Sequence, residues 1–278
     1  MLLNWYETLL YGLVSGLSEI LPVSSQAHRF LLLRFFGGNT EPQLLRLMTD
    51  LGILAALYYA CQNHLIRMIR AKRLSKVPKR RRKRPLDTRS LMDLSLLFTM
   101  AIPIILAFFV YDKIKMIGSS LIGNSVFLLL NGIILYVPQF LPGGNRDSRN
   151  MSRLHGLGIG LGGAVSLLPG LSTVGLGLSV SSVCGVDKKY GFGVTLLMDL
   201  LVCAGYVVFD IMDIVRMGLN NVSFGEFALY LLSGAIAFAV ATGTIRVFRT
   251  IAEEFGFHIF AFYCWGIALF AFIINLVA

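Results

Sequence analysis

A carboxylate, two hydroxyls and an imidazole stand close together near the start of the chain: Glu19, Ser24, Ser25 and His28. Held in a dry pocket, such groups form a set suited to phosphoryl transfer, with one group to move a proton and a hydroxyl to attack or to bind. They flank an interruption, Leu21-Pro22-Val23-Ser24-Ser25, in an otherwise apolar run. A second interruption, Leu168-Pro169-Gly170-Leu171-Ser172, repeats the pattern. Helices that restart after such breaks expose unpaired N–H groups and the positive end of their dipole, which suits phosphate or carboxylate. Ser24, Ser25 and Ser172 add hydroxyl donors, and the Pro22–Ser25 turn is expected to bring Glu19 and His28 toward one cavity. Asp50 and Asp199 sit in the similar stretches Leu47-Met48-Thr49-Asp50-Leu51 and Leu197-Met198-Asp199-Leu200. Carboxylates inside apolar segments are functional candidates, with hydrogen bonding to a neighbouring helix as the plainer reading.

The elements that must position these groups are membrane helices. Of 278 residues, 56% are hydrophobic and only 14% charged, and the mean hydropathy is +0.73. Soluble domains carry about 25% charged residues, so a soluble enzyme is excluded. Stretches near 20 apolar residues predict spans at 47–66, 91–110, 121–141, 190–211, 225–246 and 257–277. The interrupted stretches 8–36 and 156–186 read instead as re-entrant hairpins. Proline breaks the helix ladder, and bare backbone is tolerated at membrane depth only when buried in protein or facing a wet cavity. The expectation is an all-α polytopic membrane protein, residues 1–278 forming one membrane domain.

Charge supplies the orientation. The net charge is +10, yet 12 of the 25 Lys and Arg residues lie between Arg67 and Arg89. Short loops rich in Lys and Arg face the cytoplasm. The basic loop 67–89 is therefore expected inside, with Arg146, Arg149, Arg153, Lys188, Lys189, Arg246 and Arg249 on the same side, which puts both termini outside. A juxtamembrane run such as Lys79–Arg84 reads as a topology anchor attracted to anionic lipid, rather than as a nucleic-acid site.

The two halves resemble one another. Gly16, Glu19-Ile20-Leu21-Pro22 and Ser25 align on Gly163, Ser166-Leu167-Leu168-Pro169 and Ser172, and the Asp50 and Asp199 stretches follow in the same order. Repeat one covers 1–141 with hairpin 8–36; repeat two covers 154–278 with hairpin 156–186. Three spans per half is odd, so the second copy is expected upside down, an inverted-topology repeat whose broken helices meet near the midplane. Other patterns carry little chemistry. Gly158-Ile159-Gly160-Leu161-Gly162-Gly163 fits a dinucleotide fingerprint but follows no strand. Small-xxx-small spacing at Gly12/Gly16 and Gly156/Gly160 explains it as close helix packing. Cys61, Cys184, Cys203 and Cys264 have no metal or disulfide spacing. His64, His155 and His258 are assigned no role.

The first motif, Gly16-Leu17-Ser18-Glu19-Ile20-Leu21-Pro22-Val23-Ser24-Ser25-Gln26-Ala27-His28, resembles the E-G-x-T-E-F-L-P-V-S-S-T-G-H signature of undecaprenyl pyrophosphate phosphatases of the bacitracin-resistance (BacA) type. Leu168-Pro169-Gly170-Leu171-Ser172 is similar to that family's P-G-x-S-R-S-G motif. Ile102-Pro103-Ile104 through Lys115, and Phe257–Phe270 with Tyr263, resemble further family segments. The resemblance implies a dimeric enzyme of the bacterial inner membrane that removes one phosphate from the polyprenyl pyrophosphate carrier of cell-wall synthesis, with a divalent cation (Mg²⁺ or Ca²⁺) as cofactor. It implies Glu19 and His28 as acid and base and Ser25 as nucleophile or phosphate ligand. Ser24, Ser172, Thr173 and Arg29 would contact phosphate.

The sequence departs from the family at several positions, among them Gln26-Ala27 for the motif's T-G, Val174 for its second serine and Gly177 for its closing threonine. The family's first glutamate falls on Ser15 and its phosphate-binding arginine on Thr173, while Asp50 stands where the family has glutamine. Arg29 beside His28 is another additional charge, and either it or Asp50 could partly compensate for these losses. The competing reading is a non-catalytic transporter or flippase of a polyprenyl phosphate, with Asp50 and Asp199 coupling it to protons.

Overall fold

The computed structural model describes residues 3–38, 41–82, 84–117, 120–218, 222–254 and 256–277. Lys83 of the basic run, and residues 219–221 between the expected spans 190–211 and 225–246, lie beyond these. The described chain is helical: α1 (Trp5–Ile20), α2 (Ser25–Phe35), α3 (Gln43–Ser75), α4 (Thr88–Phe108), α5 (Tyr111–Ile117), α6 (Leu121–Tyr136), α7 (Arg153–Val165), α8 (Thr173–Val183), α9 (Lys188–Met217), α10 (Phe224–Glu254) and α11 (Ile259–Val277). The helices α3, α4, α9 and α10, and α6 with the turn that continues it to Phe140, are long and apolar enough to cross a membrane. The sixth expected span is α11, a shorter apolar helix. This is a multi-pass membrane architecture.

Both expected breaks are present. At the first, Leu21 is extended, as the residue before a proline must be, and Ser24 takes a left-handed φ of 66°. That conformation is unfavourable for a residue bearing a Cβ. Ser24 also caps α2, its hydroxyl accepting from the Ala27 N–H. At the second break the left-handed position, φ 93°, belongs to Gly170, where a Cβ would collide with Phe127 and the Asn124 carbonyl. Ser172 caps α8 by accepting from the Gly175 N–H at 3.1 Å.

The spacing of small residues decides how the halves meet. Gly12 and Gly16 lay the α1 backbone against Ser233 and Ala237 of α10, while Gly156 and Gly160 bring α7 against Thr99 and Met100 of α4. Each hairpin thus leans on a long helix of the other half, a reciprocal exchange. The largest core cluster runs between α3, α4, α9 and α10 around Ile53, Met100, Met198 and Phe248.

One expected boundary is corrected. The basic segment 67–89 is not a loop throughout: α3 continues to Ser75, well past residue 66. Met68 and Ala71 are buried there, so the apolar stripe carries the helix out of the span. Lys72 and Arg73 in its last turn complement the negative end of the dipole. Asp87, outside the membrane, caps α4. Hydrogen bonds from the Ser90 hydroxyl and N–H hold its carboxyl below the usual carboxylate range.

Candidate active site

The site begins where α2 starts. A helix turns 100° per residue, so Ser25, Arg29 and Leu33 share one face of α2 and line a cavity of about 150 Å³. Glu19, at the end of α1, enters the same cavity, with the Ser25 hydroxyl near its carboxylate. Both ends of the first break therefore serve one chamber. Helix α3 contributes Arg46 and Asp50, one turn apart, and α9 contributes Cys203, Tyr206 and Asp210. Pro169 of the second break closes one side.

The electrostatics of the chamber are those of paired charges. Arg29 Nη2 donates to Asp50 Oδ1 at 2.6 Å, with both side chains buried. Arg46 pairs with Asp210 and lies 3.6 Å from Asp213 and 3.9 Å from Glu41. Lys115 binds Asp213 at 2.8 Å. Gln26 donates to the Tyr206 hydroxyl at 2.6 Å. The Nε of Arg29 is buried and has no hydrogen-bond partner among the described residues. Glu41, in the connection between α2 and α3, lines the cavity as well. Burial pushes its carboxyl up to about 7 despite the opposing pull of Arg46.

Asp50 and Asp199 each face Glu19. Asp50 acts on Glu19 electrostatically, and the Asp199 carboxyl lies against the Glu19 carboxyl. The expected convergence of Glu19, Ser25, His28 and Ser172 is corrected. His28 is next to Arg29 in sequence and so points off the cavity face of α2. Its Nδ1 meets the Ser24 carbonyl at 2.7 Å, and its Nε2 meets the Tyr263 hydroxyl at 2.9 Å, the two rings stacked. It lines a separate apolar groove with Leu17, Phe260 and Tyr263. Ser172 and Thr173 are buried at the second break, apart from the cavity lining, with the Ser172 hydroxyl aimed at the Leu21 carbonyl 3.5 Å away.

The sequence pattern passes over several residues that hold this arrangement. Asn131 of α6 ties the breaks together, donating to the Pro22 carbonyl at 3.0 Å and accepting from the Ser172 N–H at 2.9 Å. A buried carbonyl and a buried N–H, both released by helix breaks, are satisfied by one amide. Arg46 stands one turn before Asp50, a spacing that places both on one helix face and could have flagged it. Asp210 and Lys115 carry no such local signal. Outside the cavity, Asp93 joins His64 (2.8 Å) and the Tyr190 hydroxyl (2.6 Å), linking α3, α4 and α9.

A divalent cation asks for several oxygen ligands free to converge on it. Among the described residues no group of three or more His, Cys, Asp or Glu side chains is placed to hold one. Asp50 and Asp210 are each engaged by a guanidinium. The described donors do not fit such an ion.

The family described as bacitracin resistance protein BacA matches residues 8–270. A protein of Methanobrevibacter smithii named undecaprenyl-diphosphatase is 28% identical over 274 residues, covering 96% of both chains. Proteins of the same name from Pseudarthrobacter chlorophenolicus (27%, 96% of both chains) and Alkaliphilus metalliredigens (24%, 94% of this chain and 95% of the relative) are similar over comparable lengths.

Proposed function

The chain belongs to the bacitracin resistance protein BacA family, and from that membership and the geometry of its cavity we propose that it hydrolyses undecaprenyl pyrophosphate, or a related polyprenyl pyrophosphate, to the monophosphate. The observation that carries the reading is a base, a hydroxyl and an anion clamp on one buried chamber: Glu19, Ser25 and Arg29, whose Nε is unpartnered. A hydroxyl beside a buried carboxylate that can take its proton is an activated nucleophile. Ser25 Oγ attacks the distal phosphorus while Glu19 takes its proton. Arg29, reaching in from α2, supplies the guanidinium that the family motif carries at the position of Thr173. A planar N–H fork matched to phosphate oxygens stabilises the charge that builds on the transferring group.

The remaining predicted groups act from outside the chamber. Ser24 and His28 fix the strained turn that aims Ser25, with Tyr263 locking the imidazole. Ser172 and Thr173 hold the second break against the first. The prenyl chain lies along the lipid-facing apolar surface and the pyrophosphate enters the cavity. The molecule sits in the inner (cytoplasmic) membrane with the basic end of α3 inside and both termini outside, its halves an inverted repeat, and it works as a homodimer.

Purified protein supplied with undecaprenyl or a shorter prenyl pyrophosphate should release inorganic phosphate, and Glu19→Ala and Ser25→Ala should each abolish the release. Phosphate release no faster than in those variants, with or without added Mg²⁺ or Ca²⁺, rejects the proposal.

A further inference from the structure

Asp199 is buried to 0% exposure in the middle of α9, and neither of its carboxyl oxygens receives a hydrogen bond from any N–H or O–H donor of the described residues. The group it does touch is the carboxyl of Glu19, itself only 6% exposed. A wholly buried carboxylate without a donor is among the costliest arrangements in a protein. Two carboxyl groups in contact in a dry site cannot both ionise, and sharing one proton relieves both. The other ionisable groups facing the pair are few. Arg29 and Asp50 face Glu19, already joined to each other, and Cys61, Cys203 and Tyr206 border it. None of them donates to Asp199.

We propose that Glu19 and Asp199 form a dyad holding a single proton, in which Asp199 is the positioning residue that keeps Glu19 in the state able to accept a proton from Ser25. This deepens the phosphatase reading and rests on it. It also accounts for a departure in the sequence. The family motif's first glutamate is here Ser15, one turn before Glu19 on the same face of α1, buried and with its hydroxyl unpartnered. The second carboxyl reaches Glu19 from α9 in the other half of the molecule instead of from α1.

The dyad balances both halves of the reaction. In the first, the Ser25 Oγ–phosphorus bond forms and the serine proton passes to the dyad, which becomes doubly protonated. The bond from the distal phosphorus to the bridging oxygen breaks, its electron pair goes to that oxygen, and the dyad returns one proton to the departing polyprenyl monophosphate. In the second, water attacks the phosphoserine and its proton enters the dyad. The phosphorus–Oγ bond breaks and Ser25 Oγ recovers a proton from the dyad. Polyprenyl monophosphate and inorganic phosphate are the products, and the pair ends singly protonated as it began.

The test compares the wild type with Asp199→Asn, which keeps the shape and offers Glu19 a permanent donor that cannot share a proton. Wild-type kcat should follow a bell-shaped pH profile, whose two limbs belong to the pair. Asp199→Asn should lower kcat roughly 100-fold, a typical acid–base contribution, leave KM within about threefold, and lose the alkaline limb. Unchanged kcat and both limbs intact would overturn the dyad, since a packing role for Asp199 predicts no change in profile. A second readout needs no turnover: infrared spectra of the wild type should contain the C=O stretch of a protonated carboxylic acid whose intensity falls in Asp199→Asn. Persistence of the full band refutes the shared proton. Loss of the band in a protein that releases no phosphate would keep the dyad and reject the phosphatase reading. Asp199→Glu, which restores a carboxyl, covers the case in which the asparagine variant does not fold.

Discussion

Replacing Arg29 by glutamine should damage the protein twice, and the two injuries can be separated. The first is to stability. Arg29 and Asp50 are 8% and 6% exposed and 2.6 Å apart, and removing one partner of a buried pair strands the other, at about 3–5 kcal/mol. The second is to chemistry. Loss of a preorganised donor at the transferring group costs roughly 100- to 1000-fold in kcat. Arg29→Gln/Asp50→Asn restores a neutral pair of similar shape, so most of the thermal stability should return. The rate should not, because the double variant still lacks the guanidinium that lines the cavity. Stability is read by thermal unfolding in detergent, and activity by phosphate release from a prenyl pyrophosphate, as a double-mutant cycle. Recovery of activity to within about threefold of wild type in the double variant would show that Arg29 serves only to neutralise Asp50. The phosphate clamp would then have to be sought at Arg46.

Other outcomes follow from single contacts. Glu41 is neutral below about pH 7 and anionic above it, so ionisation adds a negative charge to the anion cavity. KM should rise on the order of fivefold between pH 6 and 8 (about 1 kcal/mol of repulsion) and stay flat in Glu41→Gln; a KM insensitive to pH in both refutes this. Asn131→Leu leaves the Ser172 N–H buried without a partner and the Pro22 carbonyl with only the weak Cys264 thiol as donor, so stability should fall by about 1–3 kcal/mol, measurable by thermal unfolding, and activity with it. Gly160→Leu drives a side chain into the Met100 backbone and Pro103; it should yield protein that unfolds well below wild type, whereas Gly158→Leu, where a Cβ meets nothing nearby, should not. Asp87→Ala removes the α4 cap at about 1 kcal/mol. Because the Asp87 carboxyl ionises more easily in the folded state, that contribution is present near neutral pH and is lost as the pH falls through its lowered value.

Sequence alone determined what depends on composition and local chemistry. Long apolar stretches demand helices in a membrane, and the Pro22–Ser25 and Pro169–Ser172 interruptions mark where two of them break. Gly12, Gly16, Gly156 and Gly160 mark where backbones must touch, and Glu19, Ser25 and Arg29 were legible as reactive groups. What it could not determine is which groups share a chamber, because that depends on the rotation of α2 about its axis and on which distant helices arrive beside it. Three to four residues per turn sends Arg29 inward and its neighbour His28 toward Tyr263. The end of α3 was misjudged for a related reason: a basic stretch can remain helical when Met68 and Ala71 find a core, and no local signal says that they do. Tertiary structure decided the partnerships between helices far apart in the chain, Asp199 against Glu19, Arg46 with Asp210, and Asn131 between the two breaks. Each is a buried polar group that cannot remain alone in a low-dielectric interior, and only the packed fold shows where its partner comes from.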